Sequence, residues 1–173
     1  MTVRAYVALG SNLGEPLATV QAAFAALHGL PQTRLAAASS FYRSAPIGLK
    51  NQPDFINAVA ALDTTLDAEA LLDALFDIEA RFGRRRDFHH APRTLDLDLL
   101  LHGAETRASA RLSLPHPRLH ERAFVLLPLL ELDAGIVIPG RGPAAVLMDA
   151  CREQRLAKLA IIPSMSDHRN VPS

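Results

Sequence analysis

The sequence predicts an α+β fold whose core follows the order strand, helix, strand, strand, helix, strand. Short apolar runs rich in strand-forming residues alternate with segments whose apolar residues recur at helical spacing, and glycine or proline separates the segments. This order is that of a ferredoxin-like βαββαβ unit. We therefore expect a mostly antiparallel sheet, with helices on both faces once the C-terminal elements are added.

The strands are predicted from short apolar runs that end at turn residues. The four core runs lie at residues 3–9, 34–43, 55–62 and 94–101. A hairpin within residues 105–114 and a short strand at 136–138 follow in the C-terminal part of the chain.

Helices are predicted where apolar side chains recur every three or four positions. The first begins at Pro16, and Asn12 and Glu15 before it have the spacing of a capping box. The other predicted helices span residues 67–82, 122–132 and 143–154. Gly83 suits the end of the second one.

Length and composition indicate one ordinary globular domain. The chain has 173 residues, 49% of them hydrophobic and 21% charged. We expect residues 1–161 to form a single domain and residues 162–173 to be a flexible tail. Lys+Arg and Asp+Glu both number 18, which argues against a nucleic-acid partner.

The predicted location is the cytoplasm. No apolar run is long enough to span a bilayer, and the chain starts without the apolar core of a signal peptide. Cys151 is the only cysteine, which excludes an internal disulfide and fits a reducing compartment. We expect a monomer that has no membrane partner.

Asp96 and Asp98 are the most informative residues. Side chains alternate along a strand, so the two carboxylates share one face, with their Cα atoms roughly 6.5–7 Å apart. Carboxylates this close repel each other unless a cation lies beside them, and oxygen ligands favour magnesium over zinc. The alternative is a pair of solvated aspartates on an open sheet face.

Arginines next to this pair indicate phosphate chemistry. Three of them stand at positions 84–86, and Arg93 begins the aspartate strand. A solvated basic turn after a helix would look the same. His116 lies between two prolines on what should be a rigid turn, although a lone histidine is more often structural. The glycine-rich segment 10–14 lacks the phosphate-loop ending, so we interpret it as a tight turn with a helix cap.

Four stretches together resemble the 6-hydroxymethyl-7,8-dihydropterin pyrophosphokinase family of folate biosynthesis. They are Ala-Leu-Gly-Ser-Asn-Leu-Gly at 8–14, Ser-Phe-Tyr-Arg-Ser at 40–44, Ala-Pro-Arg-Thr-Leu-Asp-Leu-Asp at 91–98, and Pro-His-Pro-Arg at 115–118 with Arg122. The resemblance runs from about residue 3 to residue 161. It implies transfer of the β,γ-pyrophosphoryl unit of ATP to the pterin hydroxymethyl oxygen, with release of AMP.

The resemblance also implies roles for individual residues. Asp96 and Asp98 would hold two magnesium ions, and the catalytic arginines would be Arg84, Arg86 and Arg93. The ATP contacts would be Glu79, Arg93, Leu99, Arg111, Ser113, His116 and Arg122. The pterin contacts would be Ser44, Ala45, Ile47, Phe55, Asn57, His90 and Phe124. Aromatic faces and an amide suit a flat heterocycle, although the phenylalanines could equally be core residues.

The loops at 45–53 and 83–91 would close over the substrates as lids. The family often has tryptophan-glycine directly before Pro92, where this chain has His90 and Ala91. Either Phe88 or His90 would then serve as the aromatic cover. This departure affects substrate affinity and lid behaviour and leaves both aspartates in place.

Two other functions fit parts of the same pattern. A palm-type nucleotidyl transferase also places paired aspartates on a ferredoxin-like sheet, but it discards pyrophosphate. A non-catalytic ligand-binding module of this topology would leave the aspartate pair and the basic loop without a purpose.

Overall fold

A computed structural model describes residues 1–45, 52–83 and 94–161. It combines helices with antiparallel strands. The helices are α1 (Pro16–His28), α2 (Ala68–Arg81), α3 (Ala123–Leu132) and α4 (Ala144–Asp149), with a 3-10 turn at Leu119–Glu121. The strands are β1 (Val3–Ser11), β2 (Thr33–Ala38), β3 (Tyr42–Ser44), β4 (Phe55–Thr64), β5 (Asp96–His102), β6 (Arg107–Ala108), β7 (Ser113–Leu114), β8 (Val137–Ile138), β9 (Gly142–Pro143) and β10 (Leu156–Lys158).

The main sheet has the strand order β10-β3-β4-β1-β5. Strand β2 lies beside β3 along the same edge of β4. Strand β1 is central and pairs antiparallel with both β4 and β5. Because β5 ends this order, its outer edge faces the segment that follows it in the chain, where the backbone N of His116 donates to Leu100 O at 2.9 Å.

The two faces of the sheet carry different residues, as strand alternation requires. One face, here called the apolar face, packs Val7, Leu9 and Leu97 against α1 and α2. The other, here called the mixed face, packs Tyr6 and Val59 against α3 and α4. Its apolar cluster covers only part of its length, and polar side chains occupy the rest.

Helix α2 begins where the sequence predicts. Asp67 is its N-cap, and the side chain accepts a hydrogen bond from Ala70 N at 2.8 Å. Gly83 follows the helix with φ of 79°, a left-handed conformation that favours glycine.

The capping box predicted for α1 is wrong. Glu15 is the N-cap and makes no side-chain cap bond. Asn12 is only 1% exposed, and its Nδ2 donates to Gln52 Oε1 at 3.0 Å and to Pro53 O at 3.2 Å. The amide is therefore committed to the residues before β4, because a buried amide needs nearby partners and the tertiary structure supplies them there.

The strand predicted at 34–43 is divided into β2 and β3. Between them, Ser39 N donates to Val59 O at 2.9 Å, while Ser39 Oγ accepts from Val59 N at 2.8 Å. The serine hydroxyl thus takes the place of a backbone carbonyl in the ladder, so regular pairing with β4 stops there.

The C-terminal elements differ from the prediction in length and number. The helix expected to reach residue 154 ends at Asp149. Gln154 instead bonds the start of α3: its Oε1 accepts from Ala123 N at 2.9 Å, and its Nε2 donates to Glu121 O at 2.7 Å. Strands β9 and β10 were not predicted, and β10 adds an edge to the main sheet beside β3.

Within the described residues, no helix combines the length and the apolar character that crossing a bilayer requires. The tail predicted at 162–173 lies outside those residues.

Candidate active site

A polar row crosses the sheet at one end of the mixed face. In the strand register, Asn57 on β4 is opposite Gly10 on β1, and Gly10 is in turn opposite Asp96 on β5. Directly opposed residues have Cα atoms about 4.5–5.5 Å apart. The row therefore brings Asn57 and Asp96, which the resemblance assigns to different ligands, to within about 10 Å of each other along the sheet.

The predicted placement of Asp96 and Asp98 on one face of the sheet is confirmed. Asp96 and Asp98 are both partly exposed on β5, whereas Leu97 and Leu99 between and after them are buried in the apolar cluster. The two carboxylates thus share the mixed face. Among the residues that the structure describes, no three histidine, cysteine or acidic side chains converge as a metal site. Two carboxylates fit magnesium, which commonly takes its other ligands from water and phosphates.

Glu79 lies under the aspartate strand. It is 2% exposed on α2, and its Oε2 accepts a hydrogen bond from Leu97 N at 2.9 Å. Leu97 is the residue between the two aspartates, so this carboxylate fixes the backbone that carries them. The ATP contact expected for Glu79 stays a prediction.

His116 is held rigidly beside the row. Its Nδ1 accepts from Arg118 N at 3.1 Å, so the neutral ring carries its proton on Nε2. Burial, together with the positive charges of Arg122 and Arg118, lowers the pKa of His116 to about 4, although the negative charge of Asp96 acts in the opposite direction. Near neutral pH the ring is therefore an uncharged Nε2–H donor.

A cavity of about 320 Å³ opens at the edge of β5. Five predicted site residues line it: Asp98, Leu99, Arg111, Ser113 and His116. Arg111 also forms an ion pair with Asp73 on α2. The cavity therefore joins one predicted metal ligand to four of the predicted ATP contacts.

Two predicted pterin contacts, Ser44 on β3 and Asn57 on β4, are hydrogen-bonded to each other. Asn57 Nδ2 donates to Ser44 Oγ at 2.6 Å, with a longer bond to Tyr42 O at 3.4 Å. Phe55 pairs with Ser44 in the register, and all of these residues alternate onto the mixed face. Ala45, directly after β3, is exposed.

Phe124, a predicted pterin contact, lies beside Arg122, a predicted ATP contact. The Arg122 guanidinium carbon lies 5.5 Å from the centroid of the Phe124 ring, a cation–π arrangement. The charges of Arg122 and Asp96 both act on the pKa of His116. Phe124 therefore lies against Arg122, whose charge acts on another predicted ATP contact.

Several predicted residues cannot be placed. Arg84, Arg86, Arg93, Ile47 and His90 lie outside the described residues, as does Phe88. The structure adds other residues that the sequence reasoning missed. Leu72 and Phe76 of α2 line the cavity, and their four-residue spacing on one helix face was the available signal. The buried Ser11 hydroxyl donates to Thr94 O, just before the aspartate strand.

A known protein family matches most of this chain. The model of the 7,8-dihydro-6-hydroxymethylpterin-pyrophosphokinase family matches residues 6–134, a range that contains both aspartates, Asn57 and His116. The chain belongs to this family. The family expected from the sequence motifs is therefore confirmed.

Similar proteins extend the match over nearly the whole chain. A 2-amino-4-hydroxy-6-hydroxymethyldihydropteridine pyrophosphokinase of Pseudomonas aeruginosa is 48% identical over 159 residues, which cover 92% of this chain and 98% of that protein. The Haemophilus influenzae protein of the same name is 42% identical over 157 residues, covering 91% and 98%.

A solved structure supports the fold. The crystal structure of Plasmodium falciparum HPPK-DHPS matches with a TM-score of 0.69 at 13% identity, over 87% of this chain. This chain spans only 45% of that longer one. At such low identity the likeness shows the fold alone.

Proposed function

We propose that this chain transfers the pyrophosphoryl group of ATP to 6-hydroxymethyl-7,8-dihydropterin, giving the pterin diphosphate and AMP in folate biosynthesis. The observation that carries the proposal is the polar row, in which Asn57 and the paired carboxylates lie on one sheet face. Membership of the pyrophosphokinase family supports the choice of this reaction for the row.

The pterin would bind over Gly10, between Asn57 and Phe124. Because Asn57 Nδ2 already donates to Ser44 Oγ, its Oδ1 is the group that can accept from a ring N–H. The Ser44 hydroxyl can donate in return. Phe55 and Phe124 supply flat apolar surface for the ring, and Gly10 has no side chain to fill the space between the strands.

ATP would occupy the cavity at the β5 edge, with its phosphates toward the aspartates. His116 can donate through Nε2–H to a phosphate oxygen, and Arg122 and Arg111 add positive charge. Arg84, Arg86 and Arg93 are proposed to hold the transferred group, as expected from the sequence.

Asp96 and Asp98 would hold two magnesium ions. When bound, the ions would neutralise phosphate oxygens and orient the transferred group. Glu79 would keep the spacing of the two carboxylates by fixing Leu97 N between them.

The proposed reaction is an in-line displacement. The pterin hydroxymethyl oxygen forms a bond to the β-phosphorus of ATP, and the bond from that phosphorus to the oxygen bridging the α-phosphate breaks. AMP leaves with the bridging oxygen, and the proton of the hydroxymethyl group passes to solvent. The residues of the polar row contribute chiefly by holding the two substrates in this alignment.

We also propose that the core is ferredoxin-like. The strand order β5-β1-β4, followed by β2 and β3 on the outer edge of β4, supports this topology, and all of these pairings are antiparallel. We further propose a cytoplasmic monomer, which light scattering of the purified chain would test for oligomeric state.

The nucleotide product tests the proposed reaction. The chain is incubated with ATP, magnesium and the hydroxymethyl-dihydropterin, and the nucleotides are separated by chromatography. We expect AMP, formed only when the pterin is present. ADP, or pyrophosphate released without consumption of the pterin, would contradict the proposal and favour a nucleotidyl transferase. Omission of magnesium tests the metal requirement separately.

A further inference from the structure

Glu131 forms a cluster of hydrogen bonds outside the polar row. Its Oε1 accepts from the Tyr42 hydroxyl at 2.6 Å, and its Oε2 accepts from Ser40 Oγ at 2.8 Å. Ser40 N donates to both carboxylate oxygens at 3.0 Å. A carboxylate near the end of α3 therefore fastens the beginning of β3, across a sequence separation of about ninety residues.

The charge of Glu131 is part of this cluster. Although burial opposes ionisation, hydrogen bonds from Tyr42 and Ser40 lower the pKa of Glu131 below its ordinary value. Lys158, which is opposite Tyr42 in the β10–β3 register, acts in the same direction. Burial and the Glu131 carboxylate raise the pKa of Tyr42, so the phenol stays a hydrogen-bond donor. Bonds to an ionised acceptor are stronger than neutral ones.

The two elements joined by Glu131 each carry residues of the proposed pterin site or bond to them. Tyr42 is opposite Asn57 in the sheet, and Tyr42 O accepts from Asn57 Nδ2. Two residues further along β3, Ser44 holds the same amide at 2.6 Å. On the other side, Phe124 lies in the first turn of α3, the helix that carries Glu131.

Strand β3 is short, so few backbone hydrogen bonds hold it in the sheet. It has three residues, it is separated from β2 by the interruption at Ser39, and its outer neighbour β10 is also three residues long. Tyr42 is 2% exposed, so its hydroxyl could not turn to bulk solvent without moving the strand. The Glu131 cluster therefore adds side-chain bonds between β3 and α3 to the backbone pairing of β3 with β4.

We propose that Glu131 is a positioning residue for pterin binding: through Tyr42 and Ser40 it sets the distance between the Ser44–Asn57 pair and Phe124. This inference rests on the proposed function of the site. In this proposal Glu131 acts through β3 and makes no contact with a substrate. Among the residues that the structure describes, those that line the cavity at the β5 edge include none of β3.

The test compares binding of the two substrates in Glu131→Gln and Tyr42→Phe. The pterin affinity is measured by calorimetry with a non-hydrolysable ATP analogue present, and the analogue affinity is measured alone. We expect each variant to weaken pterin binding about tenfold and to change analogue binding by less than about twofold. The losses in the double variant should be less than additive, since both substitutions act on the Tyr42–Glu131 bond.

Matched controls are Glu153→Gln, an exposed carboxylate outside the cluster, and Tyr6→Phe, a buried tyrosine on β1. Both should bind pterin normally. Thermal unfolding checks that each variant is folded, and Tyr42→Phe carries the test if Glu131→Gln does not fold.

Three outcomes would overturn the inference. Unchanged pterin affinity with lowered melting temperature would make the cluster a structural brace only. Equal weakening of both substrates would contradict a specific effect on the pterin side. Failure of the unaltered chain to bind pterin at all would overturn the proposed function, and the role of Glu131 with it.

Discussion

The two faces of the central sheet use the same strands for different purposes. On the apolar face, alternate residues of β1 and of the first part of β5, such as Leu9 and Leu97, are buried against α1 and α2. On the mixed face, α3 and α4 cover an apolar cluster around Val59 and leave Asn57 and Asp96 beyond it. Stability and chemistry are therefore carried by alternate residues of one backbone.

Apolar contacts on one face of the sheet can offset the destabilising effect of polar groups on the other. Two neighbouring carboxylates and a buried amide oppose folding unless other contacts outweigh them. The apolar contacts on the opposite face of the same strands supply that stabilisation. In addition, Glu79 on α2 accepts a hydrogen bond from Leu97 N. Substitutions on the two faces should therefore have separable effects on activity and on the free energy of unfolding.

The largest difference between the effect on activity and the effect on stability is expected for Asp96 and Asp98. Asp96→Ala and Asp98→Ala should each lower kcat/KM by about 1,000-fold or more, because each removes charge stabilisation worth several kcal/mol from the transition state. Thermal unfolding should be little changed. The control is Asp149→Ala, an exposed aspartate at the end of α4, which should react normally. Near-normal turnover of either site variant at saturating magnesium would remove that residue from the proposed metal site.

A leucine on the opposite face should show the reverse behaviour. Leu9 is 1% exposed and lies opposite Leu97, so Leu9→Ala should lower the free energy of unfolding by about 2–5 kcal/mol. The folded fraction should keep its affinity for both substrates. Urea unfolding measures the loss, with Val146→Ala, which is 63% exposed, as the control. A selective loss of pterin affinity would show that the faces are not separable at this strand.

A substitution at Gly10, the residue after Leu9, should weaken pterin binding without lowering the free energy of unfolding. A Cβ on Gly10 would lie 3.5 Å from Asn57 Oδ1 and 3.8 Å from Phe55 Cδ1, which are ordinary contacts, so the fold should accept Gly10→Ala. The methyl group would fill the floor of the pterin site and weaken pterin binding about tenfold, or about 1.4 kcal/mol.

Gly29→Ala at the end of α1 is the control for this glycine, since its Cβ also meets only ordinary contacts. Calorimetry with the pterin and an ATP analogue gives the affinities. Unchanged pterin affinity in Gly10→Ala would place the ring elsewhere.

The smallest effect is expected at the other end of the mixed face. There Asp63 accepts from Arg4 Nε at 2.7 Å and from Arg34 at 2.8 Å. These hydrogen bonds lower the pKa of Asp63, so its stabilisation is present above the ordinary aspartate pKa and is lost as pH falls through the lowered value. Asp63→Asn should cost less than about 1 kcal/mol at pH 7, because the group is near solvent.

Urea unfolding at pH 7 and near pH 2 checks this sign. The difference between the unaltered chain and Asp63→Asn should shrink at the lower pH, and kcat should be unchanged at pH 7. A difference that grows in acid would contradict the direction of the pKa change.

Local rules of the chain determined much of this protein. Strand alternation alone placed Asp96 and Asp98 on one face, because the side-chain period is a property of any strand. Helix α2 and its Asp67 cap were also predictable, since both depend on residues within a few positions. The four sequence stretches that resemble the family identified it correctly, and the family match spans residues 6–134.

Only the tertiary structure decided which partners the polar side chains would find. Asn12 has the spacing of a helix cap, yet it bonds residues 52 and 53, and Ser39 interrupts a strand because Val59 is opposite it. Glu131 and Tyr42 are 89 positions apart in the sequence. A buried polar group forms hydrogen bonds with the donors or acceptors that packing places next to it. The spacing of residues along the sequence does not predict which distant residues those will be.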